Sequence, residues 1–163
     1  MNWKDILQYL VIWNVLGSAI FCVYVVIVFR SGVVYTAREE DGTLKKKVPL
    51  AGLLNMIGLL LAIVGLQVAA NYFGLARKGL KMAFPALLGL NYAHYFILFL
   101  FDTIVIDGLV LAVWRPGFLR LPEKMGRDSM KEHIRTSIPV GLAAGAVLAA
   151  LSSAVSYFLV PAG

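Results

Sequence analysis

Apolar residues run almost unbroken through positions 6–29, 49–72, 84–107 and 138–160, and the charged residues gather between these stretches. A helix rising about 1.5 Å per residue needs roughly 20 apolar residues to cross the hydrocarbon layer. Each stretch meets that length. The pattern predicts an all-α integral membrane protein, a four-transmembrane-helix bundle, with residues 1–163 forming a single transmembrane domain.

Finer patterns lie inside the stretches. Lipid tails are as apolar as leucine, so membrane helices associate where small side chains let backbones approach. The second stretch carries Gly58, Ala62, Gly65 and Ala69 at spacings of four and three, and the fourth carries Gly141, Gly145 and Ala149, continued by Ser152 and Ser156. Both sets are expected to be helix-packing seams.

The third stretch contains NYAHYFILFLFDTIVID, where polar groups are costly in lipid and usually have a purpose. At about 100° per residue from Asn91, His94 falls near −60°, Tyr95 near +40° and Asp102 near +20°, so the four share one face. Asp107 projects to the opposite side, close to the membrane surface. Depth counting puts Asn55 level with Asp102. A second layer holds Asn14, Gly65, Asn91 and Ser152 or Ser153, with His94 just below it. Asn55, Asn91, His94, Tyr95 and Asp102 are the expected substrate- or ion-binding positions, whereas Gln67 and Asn71 are expected to be interfacial.

Composition agrees with a lipid-solvated chain: 60% of residues are hydrophobic and 15% charged. The net charge of +6 is concentrated in two connectors, one with Arg30, Arg38, Lys45, Lys46 and Lys47, the other with Arg115, Arg120, Lys124, Arg127, Lys131 and Arg135. The intervening loop has only Arg77, Lys78 and Lys81, and the N-terminal tail only Lys4. The positive-inside rule then predicts an N-out/C-out protein of the plasma or inner membrane, with both basic loops cytoplasmic and touching anionic lipid headgroups. Because the basic residues flank spans, nucleic acid is not an expected partner. The single cysteine, Cys22, lies within the first span and excludes an internal disulfide.

Local signals add detail at the loops. Asp41-Gly42 suits the turn of a hairpin between residues 33–38 and 44–48, and an irregular charged loop fits the segment equally well because an isolated two-stranded hairpin is marginal in water. Residues 114–122 mix aromatics, aliphatics and arginines as a segment lying along the headgroups would. Ser129 and Glu132 have capping-box spacing, which predicts a helix starting near Met130 and bent near Pro139, with His133 at the membrane surface.

Three function classes follow. The first is permeation or transport of a proton, cation or small solute along the polar seam of the third span, formed between protomers of a homo-oligomer. The second is a non-catalytic accessory or assembly subunit of a larger membrane complex. The third, a membrane enzyme or cofactor carrier, has the poorest inventory. His94 and His133 differ in depth and cannot share a haem, and His94 with Asp102 supplies too few ligands for zinc. No catalytic residue, metal or cofactor is expected.

Overall fold

Four helices long and apolar enough to cross a membrane dominate the described part of the chain. The computed structural model describes residues 2–33, 35, 45–80, 82–121 and 127–159, with backbone alone for residues 127–130, 132 and 133. Helix α1 (Trp3–Arg30) starts at Asn2, whose side chain accepts from the Asp5 N–H at 2.9 Å while Asp5 reaches back to the Asn2 N–H. This reciprocal cap satisfies two donors that a helix start leaves open. Helix α2 (Leu50–Gly74) begins after Pro49 and leads through a short turn, Ala76–Lys78, to Gly79 at φ +69°.

Helix α3 (Phe84–Phe101) carries Pro85 in its first turn, where a missing N–H costs nothing. It does not end at Phe101. The chain continues as a wider π-type segment, Asp102–Trp114, whose last turn is closed by Arg115 N–H donating to the Val110 carbonyl at 2.8 Å. The third span therefore reaches Trp114, beyond the predicted end at residue 107. Helix α4 (Arg127–Leu159) already runs through Ser129, so that serine is not its cap, and Pro139 lies inside it. The expected hairpin turn around residue 42 and the His133 side chain lie outside the described residues.

The spans pair out of chain order. The third packs most extensively on α4, α2 packs on α4, and α1 packs on α3, whereas α2 touches α1 and α3 only sparsely. At one end Tyr9, Ala70, Leu75, Leu87 and Leu90 form an apolar cluster. At the other, Val25, Phe29, Ile106, Leu111 and Leu119 do the same. The loop residue Leu119 is buried there, while Trp114 and Phe118 point outward with their rings edge to face at 6.4 Å.

Helix α2 is held by one half. Its buried residues after the midpoint are Gln67, Ala70, Asn71 and Gly74, spaced as one helical face. Before the midpoint, Leu53, Leu54, Met56, Ile57, Leu60 and Leu61 are each at least 40% exposed, and Gly52 alone is buried. Of the stripe Gly58, Ala62, Gly65 and Ala69, a Cβ on Gly58 or Gly65 would meet nothing among the described residues, Ala62 is exposed at the cleft edge and Ala69 is half-buried. Two residues along a helix is a turn of about 200°, so burying the amide of Gln67 directs Gly65 outward. In α4, by contrast, a Cβ on Gly141 would overlap the Phe99 ring and one on Gly145 the Tyr95 ring, and Ala149 is fully buried.

Candidate functional site

Where α2 stands away from its neighbours, the four spans enclose a cleft of about 350 Å³. Its floor is set by Gly17: a Cβ there would come within 2.9 Å of Leu66 and 3.0 Å of Leu98, so the bare backbone lets three helices converge. The walls are mainly aliphatic and aromatic, with Ile20 and Phe21 from α1, Leu59, Leu60 and Ile63 from α2, Phe99 from α3 and Val140 from α4. Tyr24, Tyr95, Asp102, Thr103, Asp107 and Ser137 supply its polar groups.

The π-type segment explains how two acids reach one wall. In an α-helix, residues five apart diverge by about 140°, which is why Asp107 was expected on the far side. Hydrogen bonding from i to i+5 widens the turn and makes residues five apart neighbours on one face, as residues four apart are in an α-helix. Asp102 and Asp107 accordingly both line the cleft. Both are half-buried in a part of the bundle where carboxyl groups are expensive to place.

Two tyrosines frame the acids. The Tyr95 hydroxyl donates to the Gly141 carbonyl at 2.9 Å, and its ring stacks on Phe99 with centroids 6.1 Å apart. Asp102 lies within Coulombic reach of that hydroxyl. The Tyr24 hydroxyl donates to Asn55 Oδ1 at 2.9 Å, tying the outstanding half of α2 to α1.

Beyond the floor, toward the loop containing Gly79, the bundle is closed by amides and hydroxyls. Gln67 Nε2 donates to the Asn91 carbonyl at 2.7 Å, and Ser152 Oγ donates to Gln67 Oε1 at 2.7 Å. Asn91 Nδ2 donates to Ser153 Oγ at 2.8 Å. Tyr9 OH donates to Asn71 Oδ1 and Asn71 Nδ2 to Ser156 Oγ, both at 2.8 Å. Gln67, Asn91, Ser152 and Ser153 are 0% exposed, and although Asn91 Oδ1 is left without a hydrogen-bond partner, these cross-helix bonds suit a structural clamp.

The five expected binding residues thus occupy different surroundings. Tyr95 and Asp102 share the cleft, Asn55 holds its edge through Tyr24, and Asn91 belongs to the amide layer. His94 is fully buried against Tyr9, ring to ring at 6.1 Å, with neither nitrogen in hydrogen-bonding geometry and the Trp13 backbone as a polar neighbour. Asn14 turns back to its own helix, donating to the Leu10 carbonyl at 2.8 Å. The sequence did contain a signal for the amide layer: Gln67, Asn71 and Gly74 fall on one face, and two amides on one lipid-facing stripe would be hard to tolerate.

Among the described residues no three His, Cys, Asp or Glu side chains converge as a metal site would require. Comparison of the chain with known protein families, with curated proteins and with solved structures finds no match.

Proposed function

We propose that this small polytopic membrane protein binds a small solute or cation in the cleft and carries it within or across the bilayer. The supporting observation is that Asp102 and Asp107 stand on one wall of a mainly apolar cleft. Carboxyl groups in a low-dielectric cavity favour a positively charged or hydrogen-bond-donating solute, and a proton can occupy the same groups. Four spans are few for a complete transport path, so the working form is a homo-oligomer in a plasma or inner membrane, oriented N-out/C-out with its basic loops on anionic headgroups.

The test is reconstitution into vesicles with paired measurement of solute binding and flux. Asp102→Asn keeps shape and one hydrogen-bonding edge but removes the titrating group, so it should depress both while the protein remains folded. Unchanged binding and flux across a panel of protons, alkali cations and small organic cations would remove the proposal.

A second reading, a non-catalytic accessory subunit of a larger complex, is favoured by one observation. Gly58 and Gly65 present an outward face with nothing packed on it within the chain, and such faces accept foreign helices. Native-lipid mass spectrometry separates the readings: copies of this chain alone support the carrier, and a stoichiometric larger partner supports the accessory.

A further inference from the structure

The cleft is bounded by helices whose outer surfaces lie in lipid, and its lining includes residues that are themselves exposed. Ile20 is 51% exposed, Leu60 42% and Val140 69%, and all three line the cleft. Between the floor at Leu66 and the Tyr24–Asn55 bond, α2 extends for about 16 Å at 1.5 Å per residue, with Leu60 and Leu61 exposed and Leu59 and Ile63 half-buried. Along that length it touches α1 little, and its flanks are leucine, isoleucine and methionine.

The two ends of the cleft differ from this side. Toward one end of the bundle, Gln67, Asn91, Ser152 and Ser153 are sealed into mutual hydrogen bonds. Toward the other, Val25, Phe29, Ile106, Leu111 and Leu119 close an apolar cluster, with Tyr35 donating from its hydroxyl to the Arg120 carbonyl at 3.3 Å. Among the described residues the first end is closed by the amide layer, and at the second the cluster packs α1 against the third span. The sides next to α2 are bordered by exposed apolar residues at the depth of the hydrocarbon.

We propose that the cleft takes its ligand sideways from the hydrocarbon layer, past the free half of α2, and that this ligand is a membrane-dissolved amphiphile with an apolar tail and an amine head. The inference rests on the cleft being a solute-binding site and adds the substrate class and route of entry. The tail lies among Ile20, Leu59, Leu60 and Ile63. The head reaches Asp102 and Asp107, where an ammonium donates hydrogen bonds to carboxylate oxygens. An amine already partitioned into the bilayer meets these acids without passing the amide layer.

The experiment uses the full chain in lipid nanodiscs and a hexadecylamine carrying a diazirine at mid-chain. Photolysis followed by peptide mass spectrometry should place adducts on the α1 segment containing Ile20 and the α2 segment containing Leu59 and Leu60. Excess unlabelled hexadecylamine should remove them and excess butylamine should not. Asp102→Asn should reduce the adducts several-fold. Leu60→Trp and Ile20→Trp, at positions exposed enough to accept a larger ring without disturbing the fold, should narrow the mouth and do the same. Tyr24→Phe, which releases Asn55, should raise the labelling rate.

If butylamine or tetramethylammonium protects and the long-chain amine does not enter, sideways entry is overturned while the solute-binding reading survives. If no amine of any length gives protectable adducts, both fall. If the same segments cross-link instead to a second copy of the chain, the free face of α2 is an interface between protomers and the amphiphile route is overturned.

Discussion

Asp107 lies on the same cleft wall as Asp102 because the chain between them turns by five residues per hydrogen bond. An ordinary helix would send the second acid away from the first. The two residues should therefore behave alike. A hydrogen bond to a charged group contributes about 1.5–3 kcal/mol, so Asp102→Asn and Asp107→Asn should each weaken binding of a cationic solute about tenfold or more. Titration calorimetry in nanodiscs checks this. A loss confined to Asp102→Asn would mean that the wider turn does not align the acids.

Glycines packed against rings and glycines facing outward make opposite predictions. Gly145→Ala drives a methyl into the Tyr95 ring and Gly74→Ala places one 2.8 Å from the Tyr9 ring, so each should destabilise the bundle by about 1–3 kcal/mol. Gly65→Ala meets nothing and should be neutral or slightly stabilising, since alanine favours helix by up to about 1 kcal/mol. Unfolding in mixed micelles ranks the three. A penalty at Gly65 in the oligomer that vanishes on dilution to monomer would assign its stripe to a contact between chains.

The amide layer is suited to a double-mutant cycle. Ser152→Ala and Gln67→Leu remove the two sides of a 2.7 Å bond. Interhelical bonds in lipid average about 0.6 kcal/mol with a ceiling near 1.7 kcal/mol, and the coupling should fall in that range. Gln67→Leu alone should cost more, because it also strips the Asn91 carbonyl of a donor. Zero coupling would detach Ser152 from the clamp.

How much of this was legible follows from what hydropathy and angle can carry. Span number and approximate position rest on length alone, so all four were readable, and Asn91 with Ser153 could be placed at one depth because antiparallel helices share a rise per residue. Orientation of α2 was not readable. A small-residue stripe shows that a helix could be approached, and two buried amides decided instead which side is approached. Asp107 was misplaced for another reason: a fixed angular increment fails where the hydrogen-bond ladder changes from i+4 to i+5. Gln67 and Asn71 were taken for interfacial groups because distance from a span end says nothing about whether partners such as Ser152 and Ser156 await them.

Outside the spans, Tyr35 gives a pH signature. Burial raises its pKa above the ordinary tyrosine range, more than the Arg115 charge lowers it. A raised folded-state value means its contribution is fully present below the unfolded pKa and lost as pH rises through the folded one. The contact to the Arg120 carbonyl should hold through neutral and mildly alkaline pH and fail only beyond ordinary phenol ionisation. The difference in ultraviolet phenolate titration between the parent protein and Tyr35→Phe measures it, and ionisation at or below the ordinary value would contradict it.

Orientation is checked by labelling. With Cys22 replaced by serine, Lys78→Cys should react with an impermeant maleimide on intact cells, whereas Lys46→Cys should react only after permeabilisation. The reverse pattern would invert the protein.

The one-sided anchoring of α2 has a mechanical consequence. A rod clamped by amides at one end and, among the described residues, held at the other by the Tyr24–Asn55 bond and the buried Gly52 should bend where sideways force is applied, and in a bilayer that force is the lateral pressure of the acyl chains. Pressure at the depth of Leu60 acts directly on the width of the cleft. If the cleft takes the proposed amine, acyl-chain composition should alter its occupancy, read as a change in hexadecylamine labelling between saturated and unsaturated nanodiscs.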